Sequence, residues 1–273
     1  MSTPVRRLAV AALSAAALLV GVCASAGSAA SYALPPANGQ FDYQIGGAYA
    51  PSSTVKIVDR DRLEAPAAGK YDVCYVNAFQ TQPDDATWWK TNHDDLLLKK
   101  ANGSYVVDSA WNEMLLDTST AAKRTALLAI VGGWIDGCKA SGYHAIEPDN
   151  LDSYSRSAKR LTKQNNIDFA KLLVARAHAD GLAIAQKNDS SIAPNGKSIG
   201  FDFAIVEECQ VYDECDEFTA TYGAQVYEIE YTDNGGTANF TKACNARGAT
   251  TSVIYRDRDV VPKGASGYVY KFC

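Results

Sequence analysis

The sequence lacks an excess of positive charge. Its 273 residues contain 26 Lys and Arg against 31 Asp and Glu, which gives a net charge of −5 and a pI of about 5.3. Proteins that bind nucleic acid or an anionic membrane surface need a basic face, so this composition argues against both partners. A cationic or neutral partner is the better electrostatic expectation.

Strong compositional bias is also missing. The chain has 47% hydrophobic and 21% charged residues, with 9 prolines and 20 glycines. This is ordinary globular composition, and it excludes a disordered, collagen-like or coiled-coil chain. We found no internal repeat, and no proline- or serine-rich linker divides the chain after residue 40. The sequence therefore predicts a single large domain.

Long hydrophobic runs are missing beyond the first thirty residues. Within them, Arg6 and Arg7 precede an apolar run over residues 8–22, and small residues that suit cleavage follow up to Ala30. The run is short for a membrane-spanning helix, which needs about 20 residues. We therefore predict a signal peptide over residues 1–30, with an uncleaved anchor as the alternative. Residues 31–273 are then expected to form a secreted, soluble, monomeric domain.

Seven cysteines are present, and cleavage of the signal peptide would remove Cys23. An even number then remains in an exported protein, which predicts three disulfides among Cys74, Cys138, Cys209, Cys215, Cys244 and Cys273. Six cysteines allow 15 pairings. Spacing favours Cys209 with Cys215, and Cys244 with Cys273 is the next candidate. No CxxC motif or Cys/His cluster occurs, so we expect no metal site and no cofactor.

Hydrophobic periodicity predicts two clear helices. Apolar residues recur at helical spacing from Leu127 to Cys138, and Gly142 follows where a helix stop is expected. A second helix is expected to begin after Thr162, which suits an N-cap, and to run to Gly181.

Short apolar segments that follow or separate the helical ones predict eight strands, at residues 41–45, 55–58, 71–76, 144–147, 182–186, 201–206, 225–229 and 251–255. Short buried strands that alternate with helices indicate a parallel sheet. Eight of them in about 250 residues predict an α/β fold of the (β/α)8 TIM-barrel type. A doubly wound open sheet is the alternative.

Acidic residues stand at the ends of several predicted strands. Asp149 follows the fourth strand and Glu207 follows the sixth. In a (β/α)8 barrel the active site is built at these C-terminal strand ends. Hydrolysis of a glycosidic bond needs two carboxylates that flank it, so we predict Asp149 and Glu207 as the catalytic pair. For any single acid, the alternative is a solvated side chain or a cap on the next helix.

Other side chains near the strand ends are candidates for sugar binding. Trp88, Trp89 and Trp111 suit either stacking on a sugar face or packing in the core. Lys187 is expected either to bind substrate or to neutralise the neighbouring carboxylates. The remaining strand-end candidates are Tyr75, Asn77, Asn150, Asp152, Tyr154, Asn188, Glu230 and Tyr231.

Four ordered blocks between residues 142 and 231 resemble glycoside hydrolase family 114. Residues 142–154 are similar to its block G-[FC]-D-G-V-E-P-D-N-V-D-x-Y, and residues 177–188 to A-H-x-x-G-L-x-x-x-x-K-N. Residues 201–215 resemble F-D-F-A-V-N-E-Q-C followed by Y-D-E-C, and residues 225–231 resemble V-x-x-x-E-Y. Weaker similarity extends to both ends of the mature chain.

The resemblance implies a (β/α)8 barrel with endo-α-1,4-polygalactosaminidase activity, and it implies Asp149 and Glu207 as the two catalytic acids. It adds Asp117 as the best candidate for an Asp of the family's W-L-D region. Two departures are visible: no acid is present near Gln80, and Val206 stands where Asn is common. A carbohydrate-binding barrel without catalysis and a glycosidase for another extracellular glycan are the alternatives.

Overall fold

The computed structural model describes Met1 and residues 31–273, so the predicted signal peptide, apart from Met1, lies outside the described residues. The strands are β1 Phe41–Tyr43, β2 Ile57–Asp61, β3 Tyr71–Asn77, β4 Val107–Asp108, β5 Glu113–Met114, β6 Ala145–Asp149, β7 Ala183–Lys187, β8 Phe203–Glu207, β9 Val226–Tyr231, β10 Ser252–Arg256 and β11 Tyr270–Phe272. The α-helices are α1 Ala86–Asn92, α2 Ala121–Ser141, α3 Lys163–Ala179, α4 Gly196–Ile199, α5 Cys209–Tyr212, α6 Cys215–Tyr222 and α7 Gly236–Arg247.

Eight parallel strands form the barrel, in the order β1-β2-β3-β6-β7-β8-β9-β10. Strand β1 contacts β10, and the Arg256 side chain donates to the Tyr43 carbonyl, which nearly closes the ring. All eight predicted strands are present, so the (β/α)8 prediction is confirmed and the open sheet is not. The short hairpin β4–β5 and the antiparallel β11 beside β10 were not predicted.

The barrel departs from regular alternation near its start, because residues 44–56 and 62–70 contain no helix. The two main predicted helices do form. Helix α2 ends at Gly142, whose φ of 96° lies in the left-handed region that suits glycine. Helix α3 begins with a capping box between Thr162 and Asn165.

The strands divide the core into two parts. One apolar cluster fills the barrel interior, and a larger one lies between the strands and the surrounding helices. Successive side chains of a strand point to opposite faces, and Ala145, Ala185 and Ile205 belong to the interior cluster. Asp149, Lys187 and Glu207 follow them at even spacing, so their side chains also face the barrel axis at its C-terminal end.

Three disulfides join the chain. Cys74–Cys138 links β3 to α2, Cys209–Cys215 closes a short loop, and Cys244–Cys273 ties α7 to the residue after β11. Both pairs that the spacing favoured are therefore present. Such disulfides fit an extracellular protein. Among the residues described, no helix has the length and apolar character needed to cross a bilayer.

Candidate active site

A cavity of about 550 Å³ opens at the C-terminal ends of the barrel strands. Parallel strands bring their C-terminal residues together at this end, which is why side chains far apart in sequence meet here. The predicted positions that line it are Tyr75, Asp149, Asn150, Asp152, Lys187, Asn188, Glu207 and Tyr231.

Lys187 is the charge centre of this cavity. Its side chain is 1% exposed, and its Nζ lies 2.7 Å from Glu147 Oε1, 3.3 Å from Asp149 Oδ1 and 3.5 Å from Glu207 Oε2. Burial alone would lower the pKa of Lys187, but the attraction of these carboxylates raises it well above its ordinary value. The lysine is therefore charged, and it neutralises the neighbouring acids, which was one of the two roles expected of it.

Asp149 lies between this lysine and a tyrosine. The Tyr75 hydroxyl donates to Asp149 Oδ2 at 2.8 Å. Burial raises the pKa of the Asp149 carboxyl, but the charge of Lys187 and the hydrogen bond from Tyr75 outweigh it, and the resulting pKa is below the ordinary value. Asp149 is consequently ionised at neutral pH.

Glu207 is held by different partners. Tyr231 donates to Glu207 Oε1 at 2.5 Å, and Asn188 Nδ2 donates to Glu207 Oε2 at 2.9 Å. The Asn188 side chain also accepts from the Glu207 backbone N–H at 2.8 Å, so it fixes both the strand end and the carboxylate. Asn188 has a φ of 48°, a left-handed conformation that asparagine tolerates better than most residues. Glu207 keeps 25% of its side chain exposed, against 18% for Asp149.

The two carboxylates are close together because they share a cation. Asp149 Oδ1 and Glu207 Oε2 lie 3.3 and 3.5 Å from Lys187 Nζ, so these oxygens are at most 6.8 Å apart.

A second polar layer lies below, within the barrel. Glu147 Oε1 accepts from both Lys187 Nζ and the Tyr43 hydroxyl. The Asp59 carboxyl and Glu147 Oε2 have no hydrogen-bond donor among the described residues. Burial and the repulsion of Glu147 raise the pKa of Asp59 well above its ordinary value. The raised pKa favours a protonated Asp59, whose neutral carboxyl removes the repulsion from Glu147.

Sequence reasoning missed several charged residues of the rim. Arg156 pairs with Asp108 and Asp152, and Arg258 pairs with Glu208 while its guanidinium lies 4.0 Å from the centre of the Tyr231 ring. Arg156 ends a short 3-10 helix, Ser153–Arg156, after β6, and Arg258 lies in the loop after β10. The Arg156–Asp152 pair is local, but the pairs Arg156–Asp108 and Arg258–Glu208 join residues far apart in sequence, which no local pattern indicates.

Four predicted positions lie outside this cavity. Asn77 is buried beside it and accepts from Asn150 Nδ2 at 2.8 Å. Tyr154 lines a neighbouring cavity instead. Asp117 accepts from Ser119 N and pairs with Lys123 at the start of α2.

Glu230 faces the helices rather than the axis, because Tyr231 next to it faces inward. Its Oε1 accepts from Gln210 N at 3.0 Å, and its side chain is fully buried. The structure therefore gives Asp117 and Glu230 no contact with the cavity.

Both departures from the resembled family lie away from the predicted catalytic pair. Val206 belongs to the cluster between strands and helices, on the strand face opposite Glu207. Gln80 is buried and donates to Glu113 Oε2 at 2.9 Å. Glu113 itself lines the cavity, so a carboxylate from the β4–β5 hairpin is present at this side of the rim.

The tryptophans separate into two groups. Trp111 lines the cavity and is 52% exposed, whereas Trp88 and Trp89 lie in α1, outside it. Trp111 is therefore the one of these three that is placed to meet a sugar.

Ligand atoms of Cys209, Cys215 and Glu228 lie within 4.8 Å of one another. The two sulfurs are bonded to each other, which leaves no thiolate for a metal.

Comparison with known proteins identifies the family to which this sequence is similar. The model of glycoside-hydrolase family GH114 matches residues 23–273. A comparison with curated proteins finds no match.

Solved structures are similar in fold. Ega3 from Aspergillus fumigatus, solved in complex with galactosamine, is 22% identical over 90% of this chain and 100% of its own, with a TM-score of 0.72. The glycoside hydrolase domain of PelA from Pseudomonas aeruginosa is 16% identical over 83% of this chain and 97% of its own, with a TM-score of 0.59.

Proposed function

The chain belongs to glycoside-hydrolase family GH114, and on that premise we propose that it is an exported, endo-acting glycosidase. Its substrate is a galactosamine-containing polysaccharide, which it cuts at internal α-1,4 linkages. The observation that carries the proposal is the pair Asp149 and Glu207, two carboxylates held on one buried lysine at the floor of a rim cavity.

Two observations support the substrate class. Ega3, which shares the fold, was solved with galactosamine. The rim of this chain carries many carboxylates, and loss of Arg6 and Arg7 with the signal peptide takes the net charge from −5 to −7. An acidic rim attracts a polymer whose free amines are protonated.

We assign Asp149 as the nucleophile, because a nucleophile must be ionised and its pKa is lowered. Glu207, more exposed and farther from Lys187, is the general acid and base. In the first step Glu207 donates its proton to the glycosidic oxygen while Asp149 attacks the anomeric carbon. The bond to the leaving sugar breaks as the ester to Asp149 forms, and the leaving sugar gains a hydroxyl.

The second step reverses the roles. Glu207, now a carboxylate, takes a proton from water, and the water oxygen attacks the anomeric carbon. The ester bond breaks, Asp149 returns to the carboxylate form, and Glu207 is protonated again. Two displacements retain the anomeric configuration. The facing oxygens lie at most 6.8 Å apart. This bound admits the separation of about 5–5.5 Å found in retaining enzymes and lies near the lower end of the inverting range of about 6.5–9.5 Å.

Substrate contacts follow from the cavity lining. The side chains that offer hydrogen bonds to sugar hydroxyls and amines are Tyr75, Asn150, Asp152, Asn188 and Tyr231.

The catalytic domain comprises residues 31–273, and residues 1–30 act as the signal peptide. N-terminal sequencing of protein recovered from the culture medium tests this boundary, and a chain that still begins at Met1 would contradict it.

The test of the activity is reducing-end release from a soluble, partly deacetylated α-1,4-galactosaminan. Wild type is expected to release ends, with α-configured product seen first by proton NMR. Asp149→Asn and Glu207→Gln are expected to lose at least about 1,000-fold in rate, within the range for removal of a catalytic group. Glu217→Gln, an exposed acid on α6, serves as the matched control and should retain full activity.

Other outcomes separate the alternatives. Binding of the polymer without release by wild type would favour a carbohydrate-binding barrel. Release from a different extracellular glycan alone would keep the reaction and reject the substrate. First appearance of β-configured product would reject Asp149 as nucleophile.

A further inference from the structure

A second cavity of about 390 Å³ adjoins the first on the side of β7 and β8. Asn188, Glu207 and Arg258 line both cavities, so the two cavities meet at these side chains. Asp149 lines only the first. Glu207 therefore lies where the two cavities meet, whereas the Asp149 carboxylate faces only the first cavity.

The different positions of the two carboxylates indicate which cavity takes the leaving part of the polymer. In the two-carboxylate mechanism the nucleophile contacts the sugar that becomes bound, and the acid contacts the oxygen of the leaving sugar. The side reached by Glu207 but not by Asp149 is therefore the leaving-group side. Resting on the proposed function, we propose that the second cavity binds the leaving part of the polymer, with a galactosamine unit that carries a free amine.

The wall of this cavity offers an aromatic surface. Tyr212 is 60% exposed and lies in the loop that the Cys209–Cys215 disulfide closes. A loop held by a disulfide at both ends loses little further freedom when a ligand binds. An exposed, fixed tyrosine is a suitable platform for the apolar face of a sugar ring.

The same wall carries negative charge for an amine. The Glu214 carboxylate lies in the same disulfide loop and has no ion pair among the described residues. Asp189 accepts from the Tyr154 hydroxyl at 3.0 Å, which orients it across the cavity. The one cation of the wall, Arg258, is paired with Glu208 and Asp233. A protonated amino sugar therefore meets a net negative surface here.

The experiment compares a substrate that has sugars on the leaving-group side with one whose leaving group is fluoride. Partly deacetylated α-1,4-galactosaminan fills both cavities, whereas the α-fluoride of galactosamine trisaccharide fills the first and releases fluoride. Tyr212→Ala is expected to lower kcat/KM on the polymer about 5- to 10-fold, as loss of an aromatic contact does, and to leave fluoride release unchanged. Trp88→Ala, an exposed tryptophan in α1 away from both cavities, should change neither.

Charge is tested separately. Glu214→Gln is expected to reduce the preference for deacetylated over acetylated polymer, with fluoride release again unchanged. An unaltered kcat/KM on the polymer in both variants would overturn the inference, and so would an equal loss on both substrates. If wild type cleaves neither substrate, the proposed function fails and the inference fails with it.

Discussion

Replacement of Lys187 by methionine tests the electrostatic centre of the site. Methionine has a similar length and no charge, so the change removes the cation with little loss of volume. The lysine contacts Glu147, Asp149 and Glu207. Without it, three carboxyls face one another in a buried layer, and each proton that they take up relieves repulsion.

The magnitude follows from the distance. A unit charge 3.3 Å from Asp149 Oδ1 interacts with it by about 5 kcal/mol at an effective dielectric constant of about 20. Since one pKa unit is about 1.4 kcal/mol, this is an upper bound of nearly four units. Water entering the site would reduce the effect, so we expect the pKa of Asp149 to rise by less than this bound.

The sign is fixed by the chemistry. Lys187 lowers the pKa of Asp149, so its removal raises that pKa and leaves the nucleophile protonated at acid pH. The acid limb of the kcat/KM profile is expected to move to higher pH. At pH 5 the variant should be about 10-fold less active than wild type, and the ratio should narrow above pH 8 as Asp149 ionises.

The assay is fluoride release from the trisaccharide α-fluoride, measured between pH 4 and pH 9. Lys171→Met, which removes an exposed lysine on α3, is the matched control and should keep the wild-type profile. Circular dichroism establishes that each variant is folded. An acid limb at its wild-type position in folded Lys187→Met would refute the reasoning, and so would an equal loss at every pH.

Three further predictions use other contacts. Tyr75→Phe removes a hydrogen bond to the Asp149 carboxylate, worth about 1.5 kcal/mol, so the acid limb should rise by about one pH unit. Burial raises the pKa of Glu230 to about 8, so the free energy of unfolding by urea should fall as pH rises from about 5 to 8, and Glu230→Gln should make that fall smaller. Replacing Cys74 and Cys138 with serine opens a loop with a sequence separation of 64 and should lower the free energy of unfolding by about 4 kcal/mol.

Each of these has an outcome that contradicts it. An unchanged acid limb in Tyr75→Phe would mean that the tyrosine does not stabilise the ionised carboxylate. A parallel pH dependence of stability in wild type and Glu230→Gln would mean that this group is not the one that titrates. Loss of the Cys209–Cys215 bond, whose separation is 6, should cost only about 2 kcal/mol. An equal cost for both disulfides would reject the loop-length argument.

The fold could be predicted largely because its signals are local. Each strand is a short apolar segment between polar ones, and the start of α3 is marked by Thr162. The two helix-free connections, residues 44–56 and 62–70, could not be foreseen from the alternation rule. The second of these spans only nine residues, fewer than the dozen that a crossover with a helix usually takes.

The site could be predicted in part. Position at a strand end correctly located Asp149, Lys187 and Glu207 at the rim cavity. The same rule included Glu230, although residues 230 and 231 are adjacent and cannot both face the axis. Alternation within β9 would have been enough to exclude Glu230 from the candidate site residues. Tyr227, Ile229 and Tyr231 alternate along the strand and belong to the interior cluster, so Glu230 must face the other side.

The strand-end rule does not say how deep along the barrel axis an inward-facing side chain lies. Asp59 and Glu147 have inward parity but lie below the rim, where a carboxyl has no water to solvate it. Glu147 is buried against the Lys187 ammonium, and the raised pKa of Asp59 favours its protonated form. Glu147 therefore acts on the proposed nucleophile indirectly: it holds the lysine at the position from which that lysine lowers the pKa of Asp149. A neutral isostere at the protonated position, Asp59→Asn, should consequently preserve the pH profile that Lys187→Met displaces, whereas loss of charge at Glu147 should not.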